Sequence, residues 1–343
     1  MRYSVIVPVF NRPDEVKELL ESLCTQTFRD FEVVLVEDGS SVPCAAVADS
    51  FRNELDIKYF TKDNSGPGQT RNYGAERASG EYLIILDSDV MVPPGYFEAI
   101  EAELSREKAD AFGGPDRAHP DFTPVQKAIN YAMTSFFTTG GIRGGKVKMD
   151  KFYPRSFNLG ISADAYKALG GFSKMRFGED IDLSIRIFAA GYKCRLFPEA
   201  WVWHKRRTNL KKFFKQVHNS GIARINLYKK YPSSLKLVHT LPAVFTVGVA
   251  LLLAVALPLL LVLSCLPWWG AVLVALAPLL LWVLAVFTDA SAKNRSLRIG
   301  CLAVAASFVQ LTGYGSGFLR AWWLRCILGR DEELQAFKKS FYK

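Results

Sequence analysis

Gly80-Glu81-Tyr82-Leu83-Ile84-Ile85-Leu86-Asp87-Ser88-Asp89 is the stretch on which the fold turns. Leu83 to Leu86 run apolar without alternation, which predicts a strand buried on both faces, Tyr82 to Leu86. Two carboxylates follow at its C-terminal end. An Asp-x-Asp there suits a hard divalent cation holding a diphosphate, because carboxylate and phosphate oxygens share its coordination shell. The plain alternative is a solvated turn.

The pattern repeats outward from this strand. Tyr3 to Val9 is a short apolar run closed by Phe10-Asn11-Arg12-Pro13. Asp14 is then expected to cap a helix to about Thr25, with Val16, Leu19, Leu20 and Leu23 at helical spacing. Glu32 to Val36 reads as a second buried strand ending in Glu37-Asp38-Gly39-Ser40, and Ile57 to Phe60 as a third. Gly66-Pro67-Gly68 opens a helix expected to reach Ala78. Strand and helix alternate at the spacing of a parallel α/β sheet, where ligands bind beyond the carboxyl ends of strands. The first turn lacks Gly-x-Gly-x-x-Gly, which argues against a dinucleotide site. Further on, Glu179, Asp180 and Asp182 crowd the start of a helix. Charge capping of the helix dipole explains some of them, and an i, i+4 pair with Arg186 explains Asp182. Three acids exceed what capping requires, so one is a candidate general base.

Together these residues resemble glycosyltransferase family 2 enzymes, through Val5-Ile6-Val7-Pro8-Val9-Phe10-Asn11, Val36-Glu37-Asp38-Gly39-Ser40, Gly66-Pro67-Gly68-Gln69-Thr70-Arg71-Asn72, the Asp87-Ser88-Asp89 strand and Gly178-Glu179-Asp180-Ile181-Asp182-Leu183. The resemblance covers about residues 1 to 230. It implies a GT-A fold, a Rossmann-like α/β domain with a mostly parallel sheet, and transfer of a sugar with inversion. It further implies that Asp38 holds the nucleotide base beside the Pro8, Phe10 and Asn11 loop, and that Gly66 and Arg71 belong to a loop closing over the nucleotide. Asp87 and Asp89 become the metal and diphosphate motif, with Asp89 the direct ligand, and Asp180, beside Glu179, the catalytic base. His204 is a candidate third ligand against the alternative of a packed histidine, and Asn158 a candidate acceptor contact against that of a turn residue. Implied partners are Mg²⁺ or Mn²⁺, a nucleotide-diphospho-sugar donor (a UDP-sugar first), and a lipid-linked or glycan acceptor. A polyprenyl-phosphate sugar synthase, with a lipid phosphate as acceptor, is the alternative. Glu37 stands where the family usually has aspartate.

Charge and hydropathy divide the 343 residues further. Leu237 to Thr288, 52 residues, and Ile299 to Leu319, 21 residues, carry no Asp, Glu, Lys or Arg. A crossing needs about 20 apolar residues, so C-terminal transmembrane helices are expected, about three hydrophobic segments. Lys205 to Lys236 holds ten Lys or Arg and no acid, and outside it the charges balance at 33 against 33. A basic block directly before an apolar run meets anionic headgroups, and no nucleic-acid motif accompanies it. The expected organisation is a catalytic domain over 1–204, a basic amphipathic interfacial segment over 205–236, a transmembrane region over 237–325 and a basic tail over 326–343. Within the interfacial segment, Asn209 to Tyr228 reads as a helix. The expected location is the inner membrane, multi-pass, with the catalytic domain cytoplasmic. No secretory signal is read before Tyr3, and six scattered cysteines without Cys-x-x-Cys read as reduced thiols. Gly140 to Lys148 reads as a basic loop over the active site, and Gly313 and Gly317 as sites of close helix packing. Three full crossings conflict with the positive-inside rule, because Arg320, Arg325, Arg330, Lys338 and Lys339 would then lie outside. Either the tail breaks the rule or one segment is re-entrant.

Overall fold

In the computed structural model, residues 1–140, 152–264, 266–330 and 332 are described. The 141–148 part of the expected basic loop and most of the tail lie outside these residues. The chain opens with β1 (Tyr3–Val9), α1 (Pro13–Cys24), β2 (Phe31–Asp38), α2 (Ala45–Ser50), β3 (Ile57–Lys62), α3 (Pro67–Ala75) and β4 (Tyr82–Leu86). Next come β5 (Val90–Met91), α4 (Tyr96–Arg106), β6 (Ala111–Gly113), β7 (Asp116–Arg117), α5 (Pro124–Thr134) and α6 (Phe136–Thr139). β8 (Asn158–Ser162), α7 (Ala163–Ala168), α8 (Glu179–Ala189), β9 (Cys194–Leu196) and β10 (Val202–His204) follow. The remainder is helical: α9 (Leu210–Lys230), α10 (Leu241–Leu251), α11 (Leu257–Leu263), α12 (Trp268–Asn294) and α13 (Leu297–Trp322).

Two compact units are built from this order. The first takes the described residues of 1–119 and 152–205, the second those of 120–140 and 206–330. The segment 120–140, expected inside the catalytic domain, belongs to the helical unit.

The first unit is centred on a seven-stranded sheet ordered β3-β2-β1-β4-β8-β6-β9. β1 to β4 are parallel, β8 runs antiparallel between β4 and β6, and β9 pairs parallel with β6. The continuous apolar runs have their physical cause in two covered faces. Val5, Val7, Val33 and Leu35 pack into one core with α1 and α4, while Ile6, Val34, Val36 and Ile85 pack into the other with Leu183 and Ile187 of α8. Two local expectations need correction. Pro13 is the first residue of α1, after Arg12, so Asp14 sits in the first turn and does not cap it. α3 stops at Ala75, before Ala78. Because the strands are parallel, Asp38 and the Asp87 turn leave the same edge of the sheet. A second, three-stranded sheet, β5-β10-β7, stands beside the strand that carries Asp87.

In the second unit, α5, α9, α12 and α13 share a core of Ala128, Ile129, Phe213, Val217, Val286 and Ala303 among others. Among the described residues three helices are long and apolar enough to cross a membrane: Leu241–Leu263, in which a π-helical turn joins α10 to α11, Trp268–Asn294 and Leu297–Ile327. α9 confirms the helix expected at 209–228, but its apolar side is covered within the unit: Ile222 and Ile225 pack on Phe318 and Ala321 of α13.

Candidate active site

The Asp-x-Asp turn leaves β4 at Leu86 and enters β5 at Val90, whose amide donates to the Asp87 carbonyl at 3.3 Å. β10 runs antiparallel to β5 with His204 opposite Val90, and the Lys205 amide donates to the Asp89 carbonyl at 3.0 Å. This register delivers His204 to the turn, with Nε2 3.3 Å from Asp89 Oδ1. Asp87, Asp89 and His204 each offer one ligand atom, all within 4.8 Å of one another. Two carboxylates and one imidazole fit a divalent cation such as Mn²⁺, which takes both oxygen and nitrogen ligands; Mg²⁺ favours the oxygens. The imidazole is held by Phe157, ring centroids 4.9 Å apart, and Asp116 Oδ2 lies 3.8 Å from Nδ1, the kind of outer carboxylate that orients a ligating histidine.

Arg71 ties this cluster to α8. Its Nη2 donates to Asp87 Oδ1 at 2.7 Å and its Nη1 to Glu179 Oε1 at 3.0 Å, with the guanidinium over the Phe172 ring. The expectation that Arg71 sits in a loop closing over the nucleotide is corrected: it is a buried residue of α3, spent on two carboxylates. Glu179 is buried too. Burial pushes its carboxyl up, the charge of Asp180 adds to that, and Arg71 opposes it. Asp180 is more open to solvent and is held by Arg155 Nη1 at 3.2 Å. Gly178, at φ +83°, begins α8 in the left-handed region that glycine adopts without penalty.

Asp38 is buried at the end of β2. Its Oδ1 accepts from Lys62 Nζ and the Ser65 amide, both at 2.8 Å, and its Oδ2 from the Gly66 amide at 2.9 Å. Burial alone would raise its pKa, but Lys62, the Ser65 amide and Thr70 together hold it below the ordinary carboxylate value. Asp38 thus fixes the loop that starts α3, with Gly66 at φ +92°. Asn11, at φ +53°, likewise accepts from the Ser41 and Val42 amides, so the loop containing Phe10 is braced against the one after β2. Pro8 ends up opposite Val36. Glu37 accepts from the Cys44 amide at 2.6 Å and from Ser40 Oγ, a structural post. Asn158 corrects the acceptor reading: it is 2% exposed, accepts from Tyr96 Oη at 2.6 Å and donates to the Ala200 carbonyl at 2.7 Å.

Two site residues escaped the sequence reading. Arg12 Nη1 reaches Asp89 Oδ2 at 2.5 Å, and its place in the turn after β1, at the carboxyl edge, was the available signal. Arg155 carried none, since it lies between elements far from the acids in sequence.

Residues 4–167 match the family described as Glycosyl transferase family 2. The chain is 33% identical over 115 residues to the GalNAc(5)-diNAcBac-PP-undecaprenol beta-1,3-glucosyltransferase of Campylobacter jejuni, covering 33% of this chain and 37% of that protein. It is 33% identical over 111 residues to Glycosyltransferase GlyA of Streptococcus pneumoniae, covering 32% and 16%. The matched stretch thus spans less than two fifths of these relatives' length. Among solved structures, the mannosyltransferase PcManGT from Pyrobaculum calidifontis, in complex with GDP-Man and Mn²⁺, superposes with a TM-score of 0.63 at 17% identity, covering 94% of this chain and 88% of that one. At that identity the likeness shows the fold, a GT-A-like α/β domain.

Proposed function

We propose that this chain, whose residues 4–167 match the family described as Glycosyl transferase family 2, is an inverting, metal-dependent glycosyltransferase. It takes a sugar from a nucleotide-diphospho-sugar, a UDP-sugar first, to a hydroxyl of a lipid-linked glycan at the cytoplasmic face of the inner membrane. The carrying observation is the Asp87–Arg71–Glu179 bridge, which puts a three-ligand cluster and a pair of acids at one edge of the sheet. Asp87, Asp89 and His204 would hold Mn²⁺ or Mg²⁺. When bound, the ion neutralises charge on the departing diphosphate.

The chain's own groups supply the rest. Asp180, the more open acid of the pair, accepts the acceptor hydroxyl's proton as that oxygen attacks the anomeric carbon. The bond from that carbon to the diphosphate oxygen breaks on the opposite face, which inverts the configuration. Arg71 keeps Glu179 and Asp87 in place, and Arg12 adds a cation beside Asp89. A lipid phosphate acceptor would arrive already ionised and need no base, so the acids at α8 support the hydroxyl over the polyprenyl-phosphate alternative. The test is the full chain in nanodiscs, assayed with nucleotide sugars against lipid-linked glycans and, separately, polyprenyl phosphate. Product of inverted configuration, lost on chelation, supports the reading. Retained configuration, metal independence, or transfer to the lipid phosphate alone overturns it.

A further inference from the structure

The three apolar helices of the second unit are not equivalent. α10–α11 and α12 fold back on each other with Leu266 at the turn, Phe245 near the start of α10 meeting Trp282 in the second half of α12 with ring centroids 5.1 Å apart. As a pair of crossings they would have the start of α10 and the end of α12 at one membrane face. Much of their length is bare: Leu251, Leu259, Val262, Leu273 and Leu281 are all exposed. α13 is the least apolar of the three and the most buried.

The contacts of α13 show how it runs. A Cβ on Gly300 would meet Ser291 Oγ at 2.0 Å and the Phe287 ring, both near the end of α12. A Cβ on Gly315 would meet the Pro242 carbonyl at 2.3 Å and Thr246 Oγ1 at 2.1 Å, in the opening turns of α10. Between them, Phe308 touches Trp282 and Phe245. Over these 15 residues, about 22 Å of helix, α13 passes from the end of one crossing to the beginning of the other. A third crossing antiparallel to α12 would instead climb toward Trp268.

α9 supplies an independent argument. Gly221 lies so close to α13 that a Cβ would meet the Tyr314 carbonyl at 2.1 Å, and one on Gly317 would meet the His218 carbonyl at 2.0 Å. Arg325 Nη1 donates to Asn226 Oδ1 at 2.8 Å. Backbone therefore lies against backbone around Tyr314 to Phe318, and side chains continue the contact from Gly313 to Arg325. α9 also carries Lys211, Lys212, Lys215, Arg224, Lys229 and Lys230, charges that hydrocarbon does not accept without large cost. Where α9 lies outside the hydrocarbon, the second half of α13 does too.

We infer that α13 does not cross the bilayer: with α5 and α9 it forms a platform at the membrane surface, beneath a single hairpin of two crossings. The chain beyond α13 then stays on the side of α9 and Lys236. This places Lys293, Arg295 and Arg298 together with Arg320, Arg325 and Arg330 on one side, as the positive-inside rule asks. The open choice between a rule-breaking tail and a re-entrant segment closes on a third arrangement.

The test places single cysteines in a cysteine-free background at Lys236→Cys, Leu266→Cys and Arg330→Cys. Sealed vesicles of known orientation are treated with a membrane-impermeant maleimide. Positions 236 and 330 should react from the same side, and 266 from the other. Reaction of 330 together with 266 overturns the inference. Should the cysteine-free chain not fold, the native chain with a protease-cleavable C-terminal tag gives the same answer: cleavage from the side of Lys236 upholds it, and cleavage from the opposite side overturns it.

Discussion

Arg71 and Glu179, 108 residues apart in the chain, meet at 3.0 Å with both side chains buried. The same guanidinium reaches Asp87 at 2.7 Å, so one cation neutralises an acid from each half of the site. Breaking a buried pair from one side leaves a charge without compensation. Arg71→Met is therefore expected to cost about 3–5 kcal/mol of stability, read by urea unfolding of the solubilised chain. Arg71→Lys, a point charge without a fork, should recover only part of it.

Glu179 gives a pH signature. Its folded-state pKa is raised by burial and by Asp180, against Arg71. Above 4.5 the folded chain therefore holds a proton that the unfolded chain has released, and stability falls as pH rises toward the raised value. Glu179→Gln should flatten that part of the curve of unfolding free energy against pH. An unchanged slope would mean that Glu179 is ionised in the fold at all these pH values.

Asp38 has the opposite sign. Its lowered pKa contributes stability that is present above the unfolded value of about 3.9 and is lost as pH falls through the folded one. Asp38→Asn should cost about 1–3 kcal/mol. It should also speed proteolytic nicking of the 62–66 loop, which Asp38 alone anchors at three points.

The ligand cluster predicts an order of metal affinities. Asp89→Asn should weaken Mn²⁺ binding, measured by electron paramagnetic resonance, at least about 10-fold and more than Asp87→Asn. An arginine takes one oxygen of each carboxylate, but the other oxygen of Asp89, Oδ1, is the one that converges with His204 Nε2. His204→Ala should fall between them. Equal affinity for all three variants and the parent would exclude this cluster as the cation site.

For the chemistry, Asp180→Asn should leave donor and metal binding nearly intact and slow transfer at least about 10²-fold. Glu179→Gln should be milder once its stability change is allowed for. A dead Glu179→Gln beside an active Asp180→Asn would exchange the two roles.

What the sequence disclosed and withheld follows from range. The buried strands β1, β2 and β4 were legible because a strand covered on both faces must write a continuous apolar run. Asp87 and Asp89 were legible because they follow such a run. His204 is delivered by a two-residue pairing between β5 and β10, too short to leave a pattern, so only family resemblance pointed to it. Arg71 lies on a helix of weak amphipathicity, and its two partners are set by tertiary packing alone. Asn158 was read as an acceptor contact or a turn residue, yet it opens β8, whose insertion between β4 and β6 buries it.

The described part of the helical unit comes from residues 120–140 and from Arg206 onward, which imposes a schedule on the ribosome. β10, the last strand of the sheets, is complete at His204, so the unit around Asp87 can close before any apolar helix has been made. α5 cannot. Its apolar side waits for α13, whose residues emerge some 160 positions later, about 8–32 s at 5–20 residues per second. During that interval Ile129 and Ala132 lack the cover they will have, and a chaperone or the membrane surface itself is the natural guardian of the nascent chain.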